Sequence, residues 1–396
     1  MKVHWIALGV VVAINLLLDF LIYRWLRRHG YKKLSTIHAT VSVALQGLLA
    51  FGMSQPFGDA SVGDGRLTLV MWLMWIYFSV YVPKTVGLIL AIPTLLPLPR
   101  GMKRGISRVA AAVGVLLFAV MWYGTVVTPY KTEIHEVTLT SPTLPPVFNG
   151  YRIAHISDLH LGTYGTDTTF VSRVVKQIND LRPDVVCFTG DLVSRRTSEA
   201  QPFKTVLSRL RAGDGVIAIL GNHDYDDYAR WPTEVEKRRD HEALCNLQRE
   251  AGWKLLLNQP HIVVHNTDTL LFIGAENYGE GAFTNYCDMS HAYPESVQHL
   301  PYKILLQHNP VQWREQILPE TDIDLTLSGH THAMQIILSF FGRRWSPASW
   351  RYSEWGGLYS NGNQHLYVNT GLGMVGVPMR IGATPEITII TLKKAS

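Results

Sequence analysis

Aspartate, asparagine and histidine recur in this chain at the ends of short apolar runs. YRIAHISDLH delivers Asp158 and His160, VVCFTGD delivers Asp191, and VIAILGNHD delivers Asn222, His223 and Asp224. KILLQHNP carries His308, and LTLSGHTH carries His330 and His332. Apolar runs with a β-branched bias, closed by polar residues, read as buried strands feeding loops. In open α/β sheets that edge is where ligands bind. Asp158, His160, Asp191, Asn222, His308, His330 and His332 together offer carboxylate, imidazole and carbonyl-oxygen donors. The set suits two divalent cations held about 3.5–4 Å apart, which clamp a phosphate and activate a water for in-line attack. Each residue alone has an ordinary explanation, since a loop aspartate is usually a turn or helix cap and a lone histidine a solvated side chain. Their arrival together at successive strand ends is what makes a candidate site.

The stretches between those runs must form the scaffold. FVSRVVKQINDL has helical spacing and is closed by Arg182-Pro183-Asp184. Phe203–Leu210 and the charged, amphipathic Pro232–Glu250 are further helix candidates. Strand and helix therefore alternate, which indicates an α/β domain. Beyond His332 the chain turns aromatic- and glycine-rich up to LYVNTGLG, then ends on a strand, EITIITL. Upstream, TEIHEVTLT alternates like an edge strand, and TSPTLPPVFNG reads as a loop. Cys187, Cys245 and Cys287 lack zinc-type spacing; Cys187 falls in a core strand, and pairing of the other two is left open.

The first 128 residues differ in kind. Trp5–Tyr23, Leu34–Met53 and Val109–Thr128 each approach the ~20 residues that cross a bilayer as a helix. Leu67–Pro99 is longer and reads as one span kinked at Pro83. A cleaved signal peptide is not expected, because the first run is too long and is followed by Arg24, Arg27 and Arg28. The first loop also carries Lys32 and Lys33, and the third Arg100, Lys103, Arg104 and Arg108. The second holds Asp59 and Asp64 against a single Arg66. The positive-inside bias puts loops one and three in the cytoplasm, and both termini with everything after Thr128 outside. Asn15, Asp19, His38, Gln46 and Lys84 lie within the spans, either as a translocation path or, the reading preferred here, as internal structural pairs. Much of the net charge of +5 sits in the short loops, so nucleic acid is not an expected partner.

In order, D-x-H, G-D, G-N-H-D, a lone H and G-H-x-H resemble the calcineurin-like metallophosphoesterases. ILLQHNP and GLGMVGVPMRIGATPEITIITL are similar to the membrane-associated bacterial branch of that superfamily. The resemblance covers about residues 150–392. It implies an α/β (α+β) fold, a β-sandwich flanked by helices with a dimetal site at the sheet edge, preceded here by an α-helical transmembrane region. Residues 1–128 would be four membrane helices, 129–149 a connector and 150–396 the phosphoesterase domain. The resemblance further implies that Asp158, His160, Asp191 and His332 hold one metal, and that Asp191 bridges to a second bound also by Asn222, His308 and His330. His223 would be catalytic, stabilising the transition state and protonating the leaving oxygen. Manganese, iron, zinc and cobalt suit such ligands, with manganese first among them. Many relatives carry an acidic residue three positions after the bridging aspartate, where it orients that histidine. Here the position is Ser194, and Asp224 either substitutes for it or only shapes the loop. Asn309, Arg380 and the glycines of Gly371–Gly376 either border the substrate or, equally, form turns and pack loops. Tyr225, Tyr228 and Trp231 would either wall it or pack on the helix they precede.

The expected protein is thus a multi-pass enzyme of the bacterial inner membrane with an extracytoplasmic catalytic domain. Its partners would be the lipid bilayer and a phosphorylated, amphiphilic substrate, lipid-linked or otherwise of the envelope. One alternative is a UDP-diacylglucosamine-type pyrophosphatase of lipid A synthesis, which requires cytoplasmic exposure. Another is a metal-dependent interaction scaffold, which usually lacks a ligand or the catalytic histidine; neither is missing here.

Overall fold

The computed structural model describes residues 5–55, 58–281 and 284–395. Internal contacts divide the chain into two units, Met1–Gly58 with Gly65–Tyr123, and Asp59–Asp64 with Gly124–Ser396.

The first unit is built from α1 (Trp5–Arg28), α2 (Lys32–Ser54), α3 (Asp64–Ala91) and α4 (Arg100–Val126). All four are long and apolar enough to cross a membrane. The Leu67–Pro99 run gives one candidate span, Asp64–Leu95, in which α3 continues through Pro83 to Ala91 and a 3-10 turn follows over Ile92–Leu95. Helices α3 and α4 approach through small residues. A Cβ on Gly87 would lie 3.2 Å from the Ala110 carbonyl oxygen, and one on Gly114 3.2 Å from that of Pro83. The polar residues of the spans gather into one network. Tyr81 donates to Asp19 Oδ2 at 2.6 Å, Lys84 pairs with the same carboxylate, and His38 Nε2 lies 3.5 Å from Asp19 Oδ1. Asn15 Nδ2 and Gln46 Nε2 donate to the Tyr77 hydroxyl at 2.9 and 3.3 Å.

Two six-stranded sheets make the second unit. Its strands are β1 (Glu133–Ser141), β2 (Arg152–Ile156), β3 (Val185–Phe188), β4 (Val216–Ala218), β5 (Trp253–Leu255), β6 (Gln259–His265) and β7 (Asp268–Gly274). They continue with β8 (Lys303–Leu306), β9 (Leu325–Ser328), β10 (Leu338–Phe340), β11 (Arg343–Trp345), β12 (Gly357–Asn361), β13 (Gln364–Val368) and β14 (Glu386–Lys394). The sheet orders are β1-β14-β2-β3-β4-β5 and β12-β13-β9-β8-β7-β6, while β10 and β11 form a separate hairpin. Strands β2 to β5 run parallel, as do β7, β8, β9 and β13. Strands β3, β4, β8 and β9 are buried along their whole length, as parallel strands covered on both faces must be.

Ile153, Cys187 and Ile217 of the first sheet share one core with Phe272, Ile304 and Leu325 of the second, so the sheets face each other. Helices α5 (Thr169–Leu181), α6 (Lys204–Leu207) and α7 (Glu234–Glu250) cover the outer face of the first sheet through Val174, Ile178, Leu207 and Leu244. Trp313, Ile317 and Val297 cover the outer face of the second. The β-sandwich flanked by helices is therefore as expected. One helix is shorter than its sequence suggests: Phe203–Leu210 yields only the single turn of α6, preceded by a 3-10 turn over Gln201–Phe203.

Candidate metal centre

The loops after β2, β3, β4, β8 and β9 converge. His332 Nε2 lies 3.1 Å from Asp158 Oδ1 and 3.0 Å from His160 Nε2, which is 3.5 Å from Asp191 Oδ2. Donor atoms of Asp158, His160, Asp191 and His332 all fall within 4.8 Å of one another. A second group adjoins the first. Asn222 Oδ1 is 2.8 Å from His330 Nδ1 and 3.1 Å from His308 Nε2, which is 3.2 Å from Asp191 Oδ2. All seven residues singled out in the sequence thus meet, and Asp191 belongs to both groups.

Bringing so many side chains together requires sharp turns. Asp158, His160, Asp191, His330 and His332 have φ of 54°, 42°, 57°, 72° and 48°, in the left-handed region that non-glycine residues rarely occupy. Such conformations persist where surrounding structure enforces them, as it does at functional sites. The motif glycines answer a related demand. A Cβ on Gly221 would stand 2.2 Å from Asp191 Oδ1, and one on Gly329 2.0 Å from Ser157 Oγ.

The donor set fits two cations with nitrogen and oxygen ligands. His308 donates from Nδ1 to the Thr189 carbonyl at 2.7 Å, which leaves Nε2 turned toward Asp191. Burial alone would depress the His308 pKa, yet Asp191 and then Asp158 push it up to about 9. At His308, then, the carboxylates outweigh burial, whereas burial dominates at His160 and His330 and lowers both imidazoles. Burial raises the Asp158 and Asp191 carboxyls, but His332 beside the first and His308 beside the second hold both below the usual range. Asn222 Nδ2 donates to the Tyr228 hydroxyl at 2.7 Å, which fixes Oδ1 as the atom offered to the cluster. Arg380 is fully buried behind the site, bonded to the carbonyls of Thr370, Gly373 and Ala383, with Nη2 3.3 Å from His332 Nδ1.

His223 sits at the junction of the two groups. Its backbone N–H donates to Asp191 Oδ1 at 2.8 Å, and its ring stacks on Tyr228 with centroids 3.9 Å apart. Nδ1 donates to the backbone carbonyl of Ser194 at 2.7 Å, so the main chain takes the place of the acidic side chain that many relatives carry there. Asp224 is not that substitute. Its carboxylate accepts the N–H groups of Asp191, Leu192, Val193 and Gly221 at 2.8–3.1 Å and ties the two loops together. Burial, followed by the nearby Asp191, raises the Asp224 carboxyl to about 7. Ser194 is held in turn: its N–H donates to Glu199 Oε2 at 2.6 Å. The next residues reach the 59–64 segment. Arg195 donates to the Asp59 carbonyl at 2.9 Å, Arg196 Nε to Asp64 Oδ1 at 2.6 Å, and Ser198 Oγ to Asp64 Oδ2 at 2.7 Å.

Several nominated neighbours play other parts. Tyr225 is buried, stacked between Tyr286 at 3.8 Å and His241 of α7 at 5.4 Å, so it packs on the helix it precedes. Trp231 donates to the Asp226 carbonyl in its own loop, and Asn309 to that of Tyr278. Arg380 and Gly371 pack behind Asp158 and His332. Tyr352, which no motif pointed to, places its hydroxyl 3.1 Å from His330 Nε2. All three cysteines are free thiols.

A sandwich of this topology with such a cluster at its strand ends defines the metal-dependent phosphoester hydrolases. Residues 151–334 match the calcineurin-like phosphoesterase family, and the chain belongs to it. An uncharacterized metallophosphoesterase of Bacillus subtilis, YkuE, is 34% identical over 280 residues, 69% of this chain and 90% of that one. A transmembrane protein with metallophosphoesterase domain from Danio rerio is 32% identical over 298 residues, 69% of this chain but 60% of its own length. The UDP-2,3-diacylglucosamine pyrophosphatase LpxG of Chlamydia trachomatis is 30% identical over 245 residues, 52% of this chain and 72% of that one.

Proposed function

We propose that this phosphoesterase is a dinuclear enzyme anchored in the bacterial inner membrane, with its catalytic unit outside the cytoplasm, acting on a lipid-linked or other envelope phosphate ester. The observation that carries the chemistry is the shared position of Asp191, whose Oδ2 is 3.5 Å from His160 Nε2 and 3.2 Å from His308 Nε2. Asp158, His160 and His332 with Asp191 would hold one cation; Asn222, His308 and His330 with Asp191 would hold the other. Such a pair supplies Lewis acidity and an acidified water. The remaining steps belong to the protein. The carboxylate that joins the two groups also receives the His223 N–H, so the bridge and the histidine are fixed together. The Ser194 carbonyl keeps a proton on Nδ1, which leaves Nε2 to exchange one with the leaving oxygen. Burial lowers the His223 pKa; Asp191 opposes it, and the negative charge of a bound phosphate would favour the imidazolium further.

Sidedness rests on loop charge; the fold bears only on which segments lie together. Asp59–Asp64 and Gly124–Ser396 belong to one compact unit, so they must share one side of a membrane, a condition that two crossings by α3 and α4 satisfy. A phosphate-release screen with the full-length protein, loaded in turn with manganese, iron, zinc and cobalt, tests the chemistry. Two bound metals with no release from any ester would favour the scaffold reading. A C-terminal alkaline phosphatase fusion tests sidedness and should be active. An inactive one would favour the cytoplasmic pyrophosphatase reading, to which the similarity to LpxG lends its weight.

A further inference from the structure

The chain between His332 and Tyr352 leaves the metal centre and returns to it, and in between it forms the β10–β11 hairpin. The base of this excursion is fixed. Ala333 and Ile337 pack in a small core with Ala383, Ile337 N–H donates to the Ile381 carbonyl at 2.8 Å, and Ser346 Oγ donates to the Ala333 carbonyl at 2.5 Å. Its tip is built against two ordinary preferences at once. Phe341 and Gly342 form a two-residue turn with φ of 48° and 77°, the type I′ pattern in which asparagine or aspartate commonly precedes glycine. A bulky aromatic residue at positive φ is an outlier, and outliers of this kind mark functional constraint. The same Phe341 is fully exposed at 106%, next to Phe340 at 61%, while Trp350, 80% exposed, packs edge-on against Trp345. Neither backbone preference nor solvation accounts for phenylalanine there.

Charge indicates what the tip meets. Phe340 pairs with Arg343 and Leu338 with Trp345, so apolar and cationic side chains share one hairpin face. Arg344 and Arg351 follow, and no aspartate or glutamate lies between Asp324 and Glu354. Arg351 is paired with Glu280 at 2.6 Å, and the Arg344 guanidinium stands 5.6 Å from the Trp355 ring centroid. Aromatic residues backed by Arg343 and Arg344, with no acid within the hairpin itself, suit the interface of an anionic bilayer, where rings enter the headgroup layer and guanidiniums meet phosphates.

We propose that the Phe340-Phe341 tip is a membrane-seating hairpin that inserts into an anionic lipid surface and brings the mouth of the metal centre to it. The inference rests on the membrane setting proposed above and not on the identity of the ester. Full-length protein carrying Phe341→Cys in a Cys287→Ser background is labelled with an environment-sensitive dye and reconstituted in vesicles with about 30% anionic lipid. Val264→Cys, on exposed β6, serves as the reference position. The label at 341 should shift to the blue and be quenched by nitroxide-bearing lipids, less so without anionic lipid, while the label at 264 stays aqueous. An aqueous, unquenched label at 341 overturns the proposal. So does a blue shift that persists in detergent and grows with protein concentration, which would mean contact between copies of this chain. Phe341→Asn, better suited to the turn, should melt no lower than the parent. It should keep turnover of a soluble aryl phosphate yet lose at least ~3-fold on vesicle-borne substrate. A Phe341→Asn variant that melts markedly lower would overturn the proposal by making the ring a structural part of the fold. Should no ester be turned over, the fluorescence measurement still decides.

Discussion

In the helical unit, donors meet acceptors: Tyr81 and Lys84 bring protons to Asp19, and Asn15 and Gln46 bring theirs to Tyr77. In the catalytic unit, His308 Nε2 stands 3.1 Å from Asn222 Oδ1 and 3.2 Å from Asp191 Oδ2, while Thr189 and Tyr228 hold the far sides of His308 and Asn222 from behind. Both are buried polar clusters in an apolar setting, where an unpaired group is expensive. The first satisfies itself from within the helices. The second sets imidazole and amide donors around Asp191 and Asp158, whose charge raises His308 to about 9 while burial lowers His160 and His330. A self-paired cluster fastens helices to one another; a cluster short of positive charge binds cations. Residue type alone would not separate them, since both contain aspartate and histidine.

Breaking the catalytic cluster should have the largest effect. Asp191→Asn removes the charge common to both groups and should lower turnover at least ~100-fold, with loss of both metals by elemental analysis. His308→Ala should remove chiefly the second metal. Two retained metals with near-normal turnover in Asp191→Asn would end the assignment. Next comes His223→Ala, expected to slow esters with poor leaving groups by about 100-fold or more and those with good leaving groups far less. A uniform loss across a series of aryl and alkyl esters would remove its role as acid.

The helical cluster offers the contrasting test. Lys84→Ala leaves the Asp19 carboxylate without its cation and should cost about 3 kcal/mol of stability in detergent melts. Pairing Asp19→Asn with Lys84→Met should recover most of that, because a neutral pair has little to lose. Proton flux in vesicles that the single variant abolishes would instead make the cluster a path. The smallest effect is expected at Asp226, buried at φ 62° against Asp240, where burial and then the Asp240 charge raise its carboxyl to about 9. An acid whose folded pKa is raised loses stability as pH climbs from its unfolded value near 4 toward 9, because only the unfolded chain ionises freely. Asp226→Asn removes that dependence. It should raise the melting temperature at pH 8 by roughly 2–4 °C, with little change at pH 4. An equal shift at both pH values would mean that the asparagine acts through the backbone.

The candidate ligands were legible because each sits at the end of a strand that period and composition reveal, and sheet topology does the rest. Asp158 and His332 are 174 positions apart in sequence, yet β2 and β9 end at the same edge. The support of His223 was not legible. A backbone carbonyl leaves no trace in residue identity, so Ser194 reads as a deficiency, and of the two roles open to Asp224 only the loop-shaping one is found. Tyr228 and Tyr225 are equally plausible as letters, and only the turn between them sends one onto His223 and the other onto α7. The Phe341-Gly342 turn escaped notice because its flanking strands are three residues each, too short for alternation to register.

The order in which the chain is made gives the Asp59–Asp64 segment a further meaning. These residues leave the ribosome before α3 and α4, yet their partners Arg195 and Arg196 follow more than a hundred residues later. Strand β14 inserts between β1 and β2 although it follows them by more than two hundred residues. The catalytic unit thus takes its first piece from before α3 and α4 and its β14 from far beyond them, so it can finish folding only after α3 and α4 have been made. A recombinant fragment begun after α4 would start life without its own first piece.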